Sequence, residues 1–119
     1  LGAFFKSLHG TLNHLLLRDR LWLGRLVGVP TSFPSLGHEL YANFDALRSE
    51  RAKTDAEIVA YAAALTDEAL RQPLVYRTML NPRNVAYDRD FALMHLFNHQ
   101  THHRGQATTL LMQLGVDPG

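Results

Sequence analysis

His99 and His103 stand four residues apart in the string Asn98-His99-Gln100-Thr101-His102-His103-Arg104-Gly105-Gln106. On a helix this spacing stacks both imidazoles on one face, one turn apart. Two nitrogens can then reach one metal ion, as in the helical H-x-x-x-H pairs of zinc enzymes. Taken alone, such a pair is more often solvated or hydrogen-bonded than metal-bound. His95 lies one turn earlier and could extend the row. His102 is offset by about 100° from His103 and reads as a non-ligand. His14 is embedded among Leu12, Leu15 and Leu16, where an unpaired imidazole is expensive. It is either a core histidine bonded to a backbone carbonyl or a third ligand facing the pair. His9 shares its helix, and His38 falls in a loop and reads as exposed.

Two histidines on one helix and one on another would form a three-nitrogen site with open positions, the mark of a catalytic rather than a structural metal. The sequence has no cysteine, so the ligands are nitrogen and oxygen and suit Zn, Ni, Fe or Mn. Gln106, one turn after His103, can hydrogen-bond a ligand or a substrate. Gly105 costs a helix interior roughly 1 kcal/mol relative to Ala, tolerable where another helix approaches. Arg104 needs an acidic partner if buried; Asp19 on the opposite helix could supply it, the alternative being that each of the two side chains is solvated. No Ser-His-Asp arrangement, phosphate loop or paired carboxylates suggests another chemistry.

The elements that must position these residues are helices. Apolar residues recur at helical spacing from Phe4 to Val27 (Leu8, Leu12, Leu15, Leu16, Leu23 and Leu26, with Phe5 and Trp22 near the stripe), and Gly28 and Pro30 stop the run. Residues 29–37 read as a loop. A second helix is expected over Phe44–Leu65, capped by Asn43 or Asp45 and carrying Leu40, Phe44, Leu47, Ala52, Ile58, Val59, Ala62 and Leu65 as its apolar period. Its charge-mixed stretch Arg48–Glu57 reads as a solvated face. Thr66 caps one short turn. Leu74-Val75-Tyr76-Arg77 and Val85-Ala86-Tyr87 predict a minimal hairpin, which must lean on the helices. The last helix starts at Asp88 or Asp90 and ends at Gly115.

The whole is expected to be one all-α domain over residues 1–119. At this length a chain buries roughly 65% of its unfolded surface. Twelve basic residues against eleven acidic give a net charge of +1, which excludes a strong electrostatic case for nucleic acid or an anionic membrane. The longest apolar stretch, 12–27, carries Arg18, Asp19, Arg20 and Arg25 and is no bilayer span. No signal peptide is visible, and a cytoplasmic location is expected. Three amphipathic helices suggest an antiparallel bundle with an open side. A partner chain or a helix preceding Leu1 is expected to cover it.

The string from Asn98 to Gln106, followed by Ala107-Thr108-Thr109-Leu110-Leu111, resembles the C-terminal signature of the DinB/YfiT-like metalloenzyme family. The stretch Leu12-Asn13-His14-Leu15-Leu16-Leu17-Arg18-Asp19-Arg20-Leu21-Trp22-Leu23 resembles the family's other signature, a His followed by an acidic residue and then Trp. The resemblance implies an antiparallel four-helix bundle, here with the first helix missing, and a homodimer. It implies a divalent metal, Zn or Ni before Fe or Mn, held by His14, His99 and His103. Characterised relatives include S-transferases using bacillithiol or mycothiol and a mycothiol-dependent maleylpyruvate isomerase. The implied function is therefore thiol-dependent S-transfer, or hydrolase-type chemistry, on a small molecule, with a low-molecular-weight thiol as a possible partner. The alternative is a non-catalytic dimerisation or ligand-binding module with a structural or vestigial metal.

Overall fold

The computed structural model describes residues 7–29 and 31–119. Helix α1 (Leu8–Val27) begins where the Ser7 hydroxyl accepts a hydrogen bond from the Gly10 amide, and ends at Gly28 in the left-handed conformation (φ 77°). The Phe4 and Phe5 end of the expected stripe, and the Pro30 stop, lie outside the described residues. Gly24 is fixed by crowding, because a Cβ there would sit 2.6 Å from the Val29 carbonyl oxygen. The Val29 amide closes the turn by donating back to the Gly24 carbonyl at 2.8 Å.

Residues 31–43 are irregular, and Asn13 and His14 are among the α1 side chains that hold them. The Asn13 side chain accepts from the Tyr41 amide (3.0 Å) and donates to the Tyr41 carbonyl (3.1 Å). His14 Nδ1 donates to the Leu36 carbonyl at 2.9 Å. Helix α2 (Phe44–Ala64) starts at Asn43, whose side chain caps the Ala46 amide. Asn43, rather than Asp45, is therefore the cap. The single turn α3 (Asp67–Leu70) is capped by Thr66. Strands β1 (Pro73–Arg77) and β2 (Asn84–Asp88) form an antiparallel hairpin with Val75 opposite Ala86. Helix α4 (Arg89–Gln113) follows directly.

Helix α1 is the centre of the bundle, with α4 on one side and α2 on another. It buries twelve of its residues, nearly all round. Trp22 and Leu26 of α1, Leu74 of β1, and Ala92 and Leu96 of α4 form one core cluster, flanked by Tyr61, Tyr76 and Leu93. The hairpin leans on the helices through Leu74 and Tyr76, as a two-stranded sheet must.

The apolar period expected for α2 needs correction. Only Leu47, Thr54 and Ile58 are buried there, and Phe44 and Val59 are exposed. The buried row advances by seven and then four residues from Leu47, and Val59 lies about 100° round from Ile58. The charge-mixed stretch is not simply solvated either. Glu50 takes Arg20 of α1 at 2.6 Å, and Arg51 takes Asp19 at 2.7 Å.

On α4, Phe91, Met94 and Phe97 are exposed at spacings of three. They form an apolar strip on the face turned away from the core.

Candidate metal centre

The antiparallel packing of α1 on α4 brings His14 against the pair on α4. The ring centroids are 5.2 Å apart for His14–His99, 4.6 Å for His14–His103 and 4.4 Å for His99–His103. Each ring offers one nitrogen to a group whose members all lie within 4.8 Å of one another. In a tetrahedral site with bonds of about 2.1 Å, the nitrogens stand about 3.4 Å apart. Closing the observed group onto an ion takes about an ångström of side-chain movement.

Two outer hydrogen bonds orient the ring nitrogens. A carbonyl oxygen only accepts, so the bond to Leu36 places a hydrogen on His14 Nδ1 and the lone pair on Nε2. His103 Nδ1 donates to Gln106 Oε1 at 2.6 Å, with the same result. Gln106 is thus an orienting partner for a ligand. The two readings of His14 prove compatible, since it is bonded to a backbone carbonyl and faces the pair. His99 differs, because its Nδ1 is buried with no hydrogen-bond partner among the described residues. A polar atom in that state is costly, and a cation among the three rings would fit the donor set.

Electrostatics favours neutral imidazoles. Burial lowers His14 to about 4, against a smaller opposing pull from the Leu36 carbonyl. Burial, reinforced by His103 and Arg18, lowers His99 to about 3. His103 is lowered by the same desolvation, which outweighs the Gln106 bond. Rings that stay unprotonated at neutral pH keep their lone pairs for a metal.

This burial has a consequence for acid stability. Both folded-state values lie below the ordinary 6.5, so the unfolded chain binds protons first. The stability from neutral burial is complete above about pH 6.5 and is lost as pH falls towards each folded value. At 1.36 kcal/mol per unit, the His14 shift alone corresponds to about 3 kcal/mol. Urea unfolding of metal-free protein should therefore show a midpoint that drops steeply between about pH 6.5 and about pH 4. A flat profile there would contradict the burial.

The remaining histidines sit elsewhere. His95 packs its ring on Trp22 at 5.1 Å and does not join the group. His9 bonds the Tyr41 carbonyl and lies 3.4 Å from Glu39. His38 is exposed in the loop. His102 is exposed, with Nε2 3.4 Å from the Gln106 amide.

Two expectations around the histidines fail. Arg104 is exposed and bonds Thr101, while Asp19 is fully buried and held by Arg51 and by Gln100 Nε2 at 2.9 Å. The Asp19 side chain points between α2 and α4, whereas Arg104 lies on the outer side of α4. Nor does another described helix approach Gly105, since no described residue lies within 4 Å of a Cβ placed there. Burial raises the Asp19 pKa, an effect larger than the opposing pull of Arg51 and Gln100. Sequence reasoning missed Gln100, Arg51 and the Leu36 carbonyl. Gln100 was visible only as a neighbour of His99, and a backbone carbonyl leaves no side-chain signal.

The geometry can be set beside known proteins. The pattern of the DinB family matches residues 1–119. The chain belongs to the DinB family. No curated relative and no solved structure matches significantly. For this DinB chain, the three clustered histidines, two buried and His99 half-buried, are compatible with metal binding. No described helix is long and apolar enough to cross a membrane.

Variants separate the roles of the two residues beside His103. His102→Ala should keep metal affinity within a few-fold, because that ring lies outside the group. Gln106→Ala removes the orienting bond and should weaken metal binding about 10–100-fold. Competition titration with a chelating dye reads both.

Proposed function

We propose that this DinB-family protein is a divalent-metal-dependent enzyme, with His14, His99 and His103 as ligands and Zn or Ni before Fe or Mn as the metal. The convergence of the three imidazoles, two with Nδ1 hydrogen-bonded outward, carries the reading. A metal bound by three protein nitrogens with open positions supplies Lewis acidity towards a water or a thiol. The favoured reaction is thiol-dependent S-transfer to a small electrophile, with hydrolase-type chemistry as the variant in which water replaces the thiol. The thiol comes from a cosubstrate, since the chain holds no cysteine.

The chain's own residues prepare this site. His14 and His103 hold their Nδ1 protons outward on Leu36 and Gln106, so their orientation is set before any ligand arrives. Leu15, Leu16, Leu17 and Leu96 are buried in the same helices, which strengthens the electrostatics beside them. A homodimer in the cytoplasm completes the reading, supported by the exposed Phe91, Met94 and Phe97 strip.

The test is metal analysis of the purified protein, followed by turnover of an electrophile with several low-molecular-weight thiols. The reading predicts one metal per chain and a rate that depends on both thiol and metal. A protein that takes up no divalent metal would refute it. Stoichiometric metal without thiol-dependent or hydrolytic turnover would point to the non-catalytic module instead.

A further inference from the structure

Arg18 follows His14 by one turn of α1 and forms no hydrogen bond or ion pair with any described residue. It is nevertheless partly buried. Every nearby acid is committed or remote. Asp19, the one acidic residue of α1, is rotated about 100° away and taken by Arg51 and Gln100. Asp90, the one acidic residue of α4, lies in its first turn, nine residues before His99.

The register of the two helices places Arg18 beside the histidines. His14 faces His99 and His103, and Trp22 faces His95 at 5.1 Å. Arg18 is midway between His14 and Trp22 on the same face of α1. Its position is therefore opposite the segment between His95 and His99. Its charge acts on the rings of His14, His95, His99 and His103, and on Arg25 and Tyr76. Arg25 is stacked over Tyr76 at 4.1 Å and over Trp22 at 4.6 Å, and it too lacks a carboxylate partner among the described residues. Two guanidinium groups thus stand near each other beside neutral imidazoles, and the acid whose charge reaches Arg18, Asp19, is already bonded to Arg51 and Gln100. An incoming anion would relieve that repulsion.

We propose that Arg18 is the anion-recognition residue of the three-histidine site, and that the substrate is a small molecule bearing an oxyanion, which the Arg18 guanidinium binds beside the metal. This rests on the metalloenzyme reading above. A planar guanidinium matches a carboxylate or phosphate oxygen pair with two parallel hydrogen bonds. Partial removal from water makes that pairing stronger than on an open surface. Arg18 then selects and orients the substrate, while the histidines hold the metal.

The test measures binding of benzoate and of inorganic phosphate by calorimetry, to metal-free and to zinc-loaded protein. The two probes separate a carboxylate from a phosphate source. Wild-type protein should bind at least one of them. R18Q should weaken that binding by about tenfold or more, with zinc stoichiometry and helical circular dichroism unchanged. R18K keeps the charge without the fork and should fall between. Equal anion affinity in wild type and R18Q, or no binding of either probe by wild type, would overturn the proposal. An anion held only by zinc would persist in R18Q and count against it. The two readings fail separately. Arg18-dependent anion binding by a protein that takes no zinc refutes the metal and keeps Arg18. Stoichiometric zinc with Arg18-independent anion binding does the reverse.

Discussion

His99→Ala should abolish metal binding and leave the helices in place. The side chain supplies one of three nitrogens gathered within 4.8 Å, so two remain on different helices. Losing an outer partner costs about 10–100-fold in affinity, and losing a direct ligand costs more. The fold should tolerate the change. His99 makes no hydrogen bond to a described residue through its buried Nδ1, so the alanine removes a costly polar atom along with some packing. Chelator competition and far-ultraviolet circular dichroism measured together check the prediction. Retained affinity would show that the group is not the metal site, and collapse of the helices would show that His99 is structural.

Asp19→Ala should destabilise the protein by about 3 kcal/mol, because two charge-assisted bonds disappear inside the bundle. The carboxylate is fully buried and ties α2, through Arg51, to α4, through Gln100. Gln100 would be left without its acceptor. Arg51 would retain Asp55, 2.6 Å away on its own helix, which limits the loss. Denaturant unfolding at neutral pH reads the effect. Gln100 adjoins His99, so metal affinity should fall as well. A stability change under about 0.5 kcal/mol, typical of surface substitutions, would mean that the buried seam contributes nothing.

The sequence carried much of this architecture in a form that can be traced to physics. Long amphipathic periods with end signals place the C-terminal ends of α1 and α4 within a residue or two, because Gly28 and Gly115 both adopt positive φ there, whereas α1 begins at Leu8, behind the Ser7 cap, and not at Phe4. The four-residue spacing of His99 and His103, and the apolar setting of His14, pointed to the three residues that converge. The Asp19 partner was not legible. A carboxylate five residues from His14 has a defined angle on α1, but whether it meets α2 or the outer side of α4 depends on how the helices pack. Arg51 looked like one charge among many in a polar stretch. The burial pattern of α2 departs from its apolar period for a related reason, since an alanine-rich helix offers several apolar rows and packing against α1 selects one.

The bond from His14 Nδ1 to the Leu36 carbonyl makes segment 31–43 a thermodynamic participant in whatever the histidines bind. That carbonyl fixes which nitrogen of His14 carries the lone pair, so peeling the segment away would also release a ligand from its orientation. Linkage is reciprocal. An ion that favours the oriented ring must hold the segment down by the same free energy with which the segment improves the site. The connection between α1 and α2 is therefore not a passive spacer. Its length and its backbone path past Leu36 are constrained by chemistry on the far side of an imidazole ring, although none of its side chains belongs to the three-histidine group.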